Sequence, residues 1–191
     1  MIVGLVGTKG SGKTTAARYL RDSKNFIVLS FASPIKTMLW MLLDQQEVDQ
    51  KTINEMLNGK LKEVPTEYFQ GKTPRHAMQT LGTEWGRELI GPNFWVDNWE
   101  RQAKTYNNVV VDDVRFQTEV DRVRSLGGIC IRINRIGGES DIHSSEAGIH
   151  ALTNCKYTVE NDRGYVDLYE QLRLIMDIEA HKGQGATTTQ G

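Results

Sequence analysis

Residues 7–14 read GTKGSGKT and fit the pattern G-x-x-x-x-G-K-[ST]. The apolar stretch MIVGLV precedes them, and KTTAARYLRD, with helical spacing, follows. Strand, phosphate-binding loop and helix succeed one another in this order, which commits the chain to a layered α/β architecture. Glycines let such a loop curl with its N–H groups turned inward, and the N-terminus of the following helix adds positive potential. Gly10, Ser11, Gly12, Lys13, Thr14 and Thr15 are the candidate cradle for nucleotide phosphates, with Lys13 reaching the outer phosphates and Thr14 ligating magnesium. A purely structural glycine turn requires neither the lysine nor the threonine.

Further β-branched runs follow: FIVLS, NVVVDD, GICIRI and KYTVE alternate with helical patterns, which predicts a parallel sheet with helices on both faces. At 191 residues and 39% hydrophobic, the chain has the size of one domain with one sizeable core. Between the second and third strands lie roughly 75 residues, where a crossover needs about a dozen, so a functional insertion is expected there. Within it SPIKTMLWMLL reads as a helix with Ser33 as N-cap and Pro34 at the first helical position, followed by a polar helix near VDQKTINEML. The final KGQGATTTQG has almost nothing to bury and reads as a solvated tail.

The 23 Lys and Arg nearly balance 24 Asp and Glu, and the sequence pI is near 6.4. No global field draws such a chain to nucleic acid or to an anionic membrane, so an anionic ligand must be held by local groups. Cys130 and Cys155 make no disulfide framework; Cys130, inside GICIRI, reads as a buried reduced thiol and favours a reducing cytoplasm. The apolar N-terminus is too short for a signal or a membrane span. His143, His150 and Cys155 lack a metal-ligand spacing.

A phosphate loop is shared by GTPases, motors, transporters and kinases. The absence of an Asn-Lys-x-Asp guanine reader and of Asp-x-x-Gly after the third strand disfavours a GTPase. Instead, NNVVVDDVRF runs a hydrophobic strand into Asp112 and Asp113, at the carboxyl end where doubly wound sheets present ligands. A carboxylate there can orient magnesium-bound water or bind a substrate group, and strand alternation predicts that the two cannot both face the same way. Asp112 is the candidate metal-side carboxylate, Asp113 and Arg115 form a candidate site pair, and Glu119 follows. The alternative is that one aspartate caps the next helix while Arg115 pairs with Glu119 on the surface.

In TPRHAMQTLGTEWGRELI, Thr73 and Pro74 open a helix whose Met78, Leu81, Trp85 and Leu89 recur as a core-facing stripe. At about 100° per residue, Arg75, Gln79, Gly82 and Gly86 fall on a second stripe with Thr83 at its margin. Helical glycines cost about 1 kcal/mol each relative to alanine, so this face is shaped either for a closely approaching ligand or for tight packing. In the ligand reading Arg75 grips a phosphate while Gln79 and Thr83 meet a base edge. Trp95 in GPNFWVDNW either stacks on a base or belongs to the core.

With the phosphate loop, SFASPIK, RHAMQTLGTEWGR, NFWVD, DDVRFQTE and ENDRG in this order, the chain resembles the bacteriophage-type deoxynucleoside monophosphate kinases of the nucleoside monophosphate kinase superfamily. The resemblance covers residues 1–178 as one kinase domain and leaves 179–191 as a tail. It implies a three-layer α/β fold with a five-stranded parallel sheet in the order 2-3-1-4-5, an acceptor-binding insertion near 34–100 and a lid near 132–150. It also implies phosphoryl transfer from ATP, with magnesium, to a deoxynucleoside monophosphate. Lys13 and Thr14 then look like donor-phosphate and magnesium groups, and Arg75, Gln79, Gly82, Thr83 and Trp95 like acceptor-site positions. Asp113, Arg115 and Glu119 look like the strand-end constellation, and Asn161 and Asp162 like the border of the donor base. His76 stands where a basic residue would be expected.

The segment RINRIGGESDIHSSEAG would be the lid, with Arg132 and Arg135 reaching over the transferring phosphoryl group, or else pairing on the surface with Glu139 or Asp141. Lys13, Arg75, Asp113, Arg115, Arg132 and Arg135 are thus the candidate catalytic groups. The expected setting is the cytoplasm, the host's for a phage-encoded chain, without nucleic-acid or membrane partners, and MLWMLL would permit a homodimer contact. Two other readings are a kinase of another small acceptor such as dephospho-coenzyme A and a regulatory ATP-binding module.

Overall fold

The computed structural model describes residues 1–136 and 148–185. In chain order the elements are β1 (Ile2–Val6), α1 (Lys13–Lys24), β2 (Ile27–Val28), α2 (Ser33–Asp44), α3 (Gln50–Leu57) and α4 (Pro74–Thr80), which runs on as a π-helix (Leu81–Ile90). There follow α5 (Phe94–Ala103), β3 (Val109–Val114), α6 (Gln117–Ser125), β4 (Ile129–Asn134), β5 (Tyr157–Glu160) and α7 (Tyr165–Gly185). The sheet is parallel throughout, in the order β2-β3-β1-β4-β5.

The central strands are buried because helices cover the sheet, and their sequences are correspondingly near-continuous apolar runs. Val3, Leu5, Val110 and Ile131 pack with Leu20 of α1 and with Leu168 and Leu172 of α7. Each such side chain contributes about 1.5–3 kcal/mol on leaving water. Cys130 on β4 is also fully buried, and burial, with Cys155 next in importance, pushes its thiol up to about 12; both cysteines are free. The run FIVLS yields only a two-residue strand at one edge, beyond which Leu29 N bonds Val110 O at 2.9 Å.

The chain divides into two compact units, Met1–Ser30 with Gln102–Gly191, and Phe31–Arg101. The second holds a buried apolar cluster of its own, with Ile35, Leu39, Leu43, Ile53, Leu57 and Trp95. Its first helix begins one residue earlier than expected: Ala32 is the N-cap, no side chain caps it, and Ser33 and Pro34 open α2. Proline is tolerated there because first-turn N–H groups have no intrahelical partner anyway.

Three sequence expectations are corrected by the backbone. The register pairs Gly4 with Val111 but Val6 with Val114, so β3 holds one extra residue at Asp112 and Asp113. Strict alternation does not cross a bulge, and the inference that the two aspartates must face opposite ways fails. From Leu81 the helix changes to i→i+5 bonding, including Gly91 N to Gly86 O at 3.0 Å, so an α-helical stripe cannot be projected along it. Leu89, placed in the core by that projection, is 76% exposed. Finally, α7 continues past 178 to Gly185 because Glu179 is anchored by Lys156 Nζ at 2.8 Å and Tyr157 Oη at 2.5 Å. No described helix is long and apolar enough to cross a membrane.

Candidate functional site

In the sheet unit, the loop after β1 turns through Gly10 and Gly12, whose φ values of 79° and 109° lie in the left-handed region. A Cβ on Gly12 would collide with the Asn161 amide. No side chain caps α1, and its first turn carries no acidic residue. Such a helix start favours an anion, because N–H groups and the positive end of the macrodipole are directed at the loop. Lys13 Nζ donates to Gly7 O at 2.6 Å and to Thr8 O at 2.7 Å, which holds the ammonium over the loop. Thr14 is exposed at the second position of α1, and Thr15 beside it is half-buried. Ser11 Oγ is buried with no hydrogen-bond partner among the described residues, an unmet polar group within the cradle.

The two arginines assigned to the lid have different fates. Arg135, just beyond β4, reaches the phosphate loop, donating from Nη1 to Gly10 O at 3.4 Å. Arg132 lies within β4 and donates to Ile149 O at 3.0 Å and to Leu152 O at 2.6 Å. Its guanidinium is engaged in holding the returning chain, which corrects its assignment beside the phosphoryl group. Residues 137–147 of the expected lid, with Glu139, Asp141 and His143, lie outside the described residues.

Asn161 is buried and donates from Nδ2 to Ser11 O at 2.8 Å, so it braces the phosphate loop rather than facing a base. Asp162 accepts from Ile136 N at 2.7 Å and lines, with Glu160, Arg163, Asp167 and Gln171, an open cavity of about 310 Å³.

At the strand end, Asp112 Oδ1 accepts a hydrogen bond from Ser30 Oγ at 2.5 Å. Asp113 and Arg115 are both half-buried there. Neither aspartate caps α6, whose N-cap is Phe116. Glu119, only 2% exposed, turns back and accepts from Arg115 N at 2.7 Å and Phe116 N at 3.1 Å. That corrects Glu119 from a substrate contact to a group that fixes the backbone from which Arg115 projects. Ser30 was missed in the sequence, although a polar residue directly after the apolar run FIVL, at a strand's carboxyl end, was the available signal.

In the insertion unit, Arg75 is paired through Nε with Glu63, from a turn that the sequence did not reveal as a partner. Thr73 Oγ1 accepts from His76 N at 3.0 Å, which accounts for the helix start. Gln79 is half-buried and Thr83 exposed. The glycines resolve toward packing. A Cβ on Gly86 would meet Trp95 Cε2 at 2.5 Å and Cζ2 at 2.6 Å, and one on Gly82 would meet Ile35 Cδ1 at 3.1 Å. Trp95 is 4% exposed, donates from Nε1 to Gly82 O at 2.8 Å and packs edge-on to Phe94 at 4.7 Å. Trp95 is therefore core, correcting the base-stacking assignment, and Gly82 serves the indole through its carbonyl.

The sequence profile of the family described as deoxynucleotide monophosphate kinase matches residues 43–172. The chain belongs to this family. The match takes in Arg75, the strand-end residues and Asp162 but not the phosphate loop, which is common to many other proteins. A protein of Acanthamoeba polyphaga mimivirus, provisionally named deoxynucleotide monophosphate kinase, is 34% identical over 194 residues, covering 93% of this chain and 96% of its own. The deoxynucleotide monophosphate kinase of Enterobacteria phage T4 is 26% identical over 163 residues, covering 80% of this chain and 64% of its own. Among solved structures, dephospho-CoA kinase from Campylobacter jejuni superposes with a TM-score of 0.51 at 16% identity, covering 92% of this chain and 95% of its own. This family member therefore shares its fold with that kinase.

Proposed function

We propose that this family member transfers the γ-phosphoryl group of ATP to the phosphate of a deoxynucleoside monophosphate, giving the diphosphate and ADP. An acceptor phosphate oxygen forms the new bond to the γ-phosphorus, and the bond to the β–γ bridging oxygen breaks. The observation that carries the reading is the uncapped start of α1 under the glycine loop with Lys13 held over it, in a chain of this family. Positioning and positive charge supply most of the catalysis in such a transfer.

Lys13 exchanges the carbonyls of Gly7 and Thr8 for phosphate oxygens, and Arg135 exchanges that of Gly10. Thr14 and Asp112 offer the oxygen donors that a hard cation takes, so these residues fit magnesium. When bound, magnesium neutralises phosphate charge. Arg75 leaves Glu63 to grip the acceptor phosphate, Gln79 and Thr83 read the base edge, and Asp113 with Arg115 orients the acceptor. Exposed Met38, Met41 and Leu42 on α2 supply the face for a homodimer contact.

The test is to incubate the protein with magnesium ATP and each of dAMP, dGMP, dCMP, dTMP, their ribose counterparts and dephospho-coenzyme A, and to separate the products by chromatography. Diphosphates should form from one or more deoxynucleotides. Binding of ATP without acceptor-dependent ADP release would refute the reading.

A further inference from the structure

Asp112 sits where the sheet's own geometry stops dictating direction. The extra residue in β3 falls at Asp112 and Asp113, and a bulged residue is not aimed by regular alternation. Something else must set its side chain. On the neighbouring strand, β2 pairs Ile27 with Val109 and Val28 with Val110, and continuing that register brings Ser30 opposite Asp112. A ladder bond from Leu29 N to Val110 O holds the residue just before Ser30 against β3, and the Ser30 hydroxyl reaches Asp112 from there. The Oγ to Oδ1 distance of 2.5 Å is that of a charge-assisted O–H···O⁻ bond, about twice as strong as a neutral one.

We infer that Ser30 is a positioning residue for the metal side of the transfer. By donating to Oδ1 it commits one carboxylate oxygen of Asp112 and fixes the rotation of the group, so that the carboxylate meets magnesium nucleotide in one arrangement. This rests on the proposed reading of Asp112 as the metal-side carboxylate. Ser30 touches no reacting atom; it acts through Asp112.

The experiment compares wild type with Ser30→Ala, Ser30→Thr, Asp112→Asn and the Ser30→Ala/Asp112→Asn double variant, all in the full chain. Calorimetry measures the affinity for ATP with and without magnesium, a readout that requires no acceptor and no turnover. Loss of a hydrogen bond to a charged group should lower the gain that magnesium gives to ATP binding by about tenfold in Ser30→Ala, with metal-free ATP affinity unchanged. Ser30→Thr should restore it, and the double variant should bind magnesium ATP no worse than Asp112→Asn alone. An unchanged magnesium gain in Ser30→Ala, or additive losses in the double variant, overturns the inference. If Ser30→Ala does not fold, Asp112→Asn decides: an intact magnesium gain there is equally fatal. A wild type that binds magnesium ATP but phosphorylates no deoxynucleotide refutes the kinase reading and leaves this measurement able to decide Ser30 by itself.

Discussion

Replacing Gly86 with alanine sets two physical effects against each other. Alanine is the better helix former by about 1 kcal/mol, which favours the variant. The added methyl, however, would lie 2.5 Å from Cε2 and 2.6 Å from Cζ2 of Trp95 and closer still to its ring nitrogen. The indole has no room to retreat, being enclosed by Phe94 and Trp85 and tied to the Gly82 carbonyl. Overpacking of a rigid ring belongs near the top of the usual range of about 1–3 kcal/mol, leaving a net destabilisation of about 2 kcal/mol. For a chain of this size that is a fall in Tm of about 4–8 °C. Gly82→Ala is the control: its methyl would meet the flexible end of Ile35 at 3.1 Å, so its stability should stay within about 1 kcal/mol of wild type. Guanidinium melts followed by tryptophan fluorescence measure both. A Gly86→Ala protein as stable as wild type, with weakened deoxynucleotide binding, would show that the glycine exists for a ligand and that the packing account is wrong.

Arg75→Ala should raise KM for the deoxynucleotide by on the order of 100-fold through loss of a charge-assisted contact, with ATP affinity within about threefold; steady-state kinetics and calorimetry giving equal losses for both would refute its acceptor role. Asn161→Ala removes the partner of the Ser11 carbonyl, so it should cost about 1–3 kcal/mol in a urea melt and raise KM for ATP before that for the acceptor. Cys130, pushed up to about 12 chiefly by burial, stays neutral in the folded chain while the unfolded thiol ionises near its ordinary value. Its contribution is complete below about pH 8.5 and is lost as pH rises toward 12, at up to about 1.4 kcal/mol per pH unit. Urea midpoints at pH 8 and pH 10 should therefore fall further in wild type than in Cys130→Ala.

Where periodicity and motif spacing act over short distances, the sequence was a sufficient guide. The strand, loop and helix around residues 1–24 and the parallel sheet followed from apolar runs and turn chemistry, because each depends on local pattern. What escaped depended on contacts between distant residues. Trp95 gave the same pattern whether it stacked on a ligand or filled a core; its bond to the Gly82 carbonyl decides the matter. Arg132 and Arg135 are alike in sequence, yet one lies within β4 and is consumed by the carbonyls of Ile149 and Leu152, while the other clears the strand and reaches Gly10. The bulge at Asp112 and Asp113 and the π-helix from Leu81 each break the period on which their side-chain directions had been projected.

The brevity of β2 bears on how the chain survives its own synthesis. Parallel sheets assemble from distant segments and fold slowly, so partly formed sheets expose unpaired backbone to other copies of the chain. At this edge only Ile27 and Val28 form a regular strand before the chain leaves the sheet. A passing strand would find room for very few hydrogen bonds, and a template that short does not hold a second chain long enough to seed aggregation.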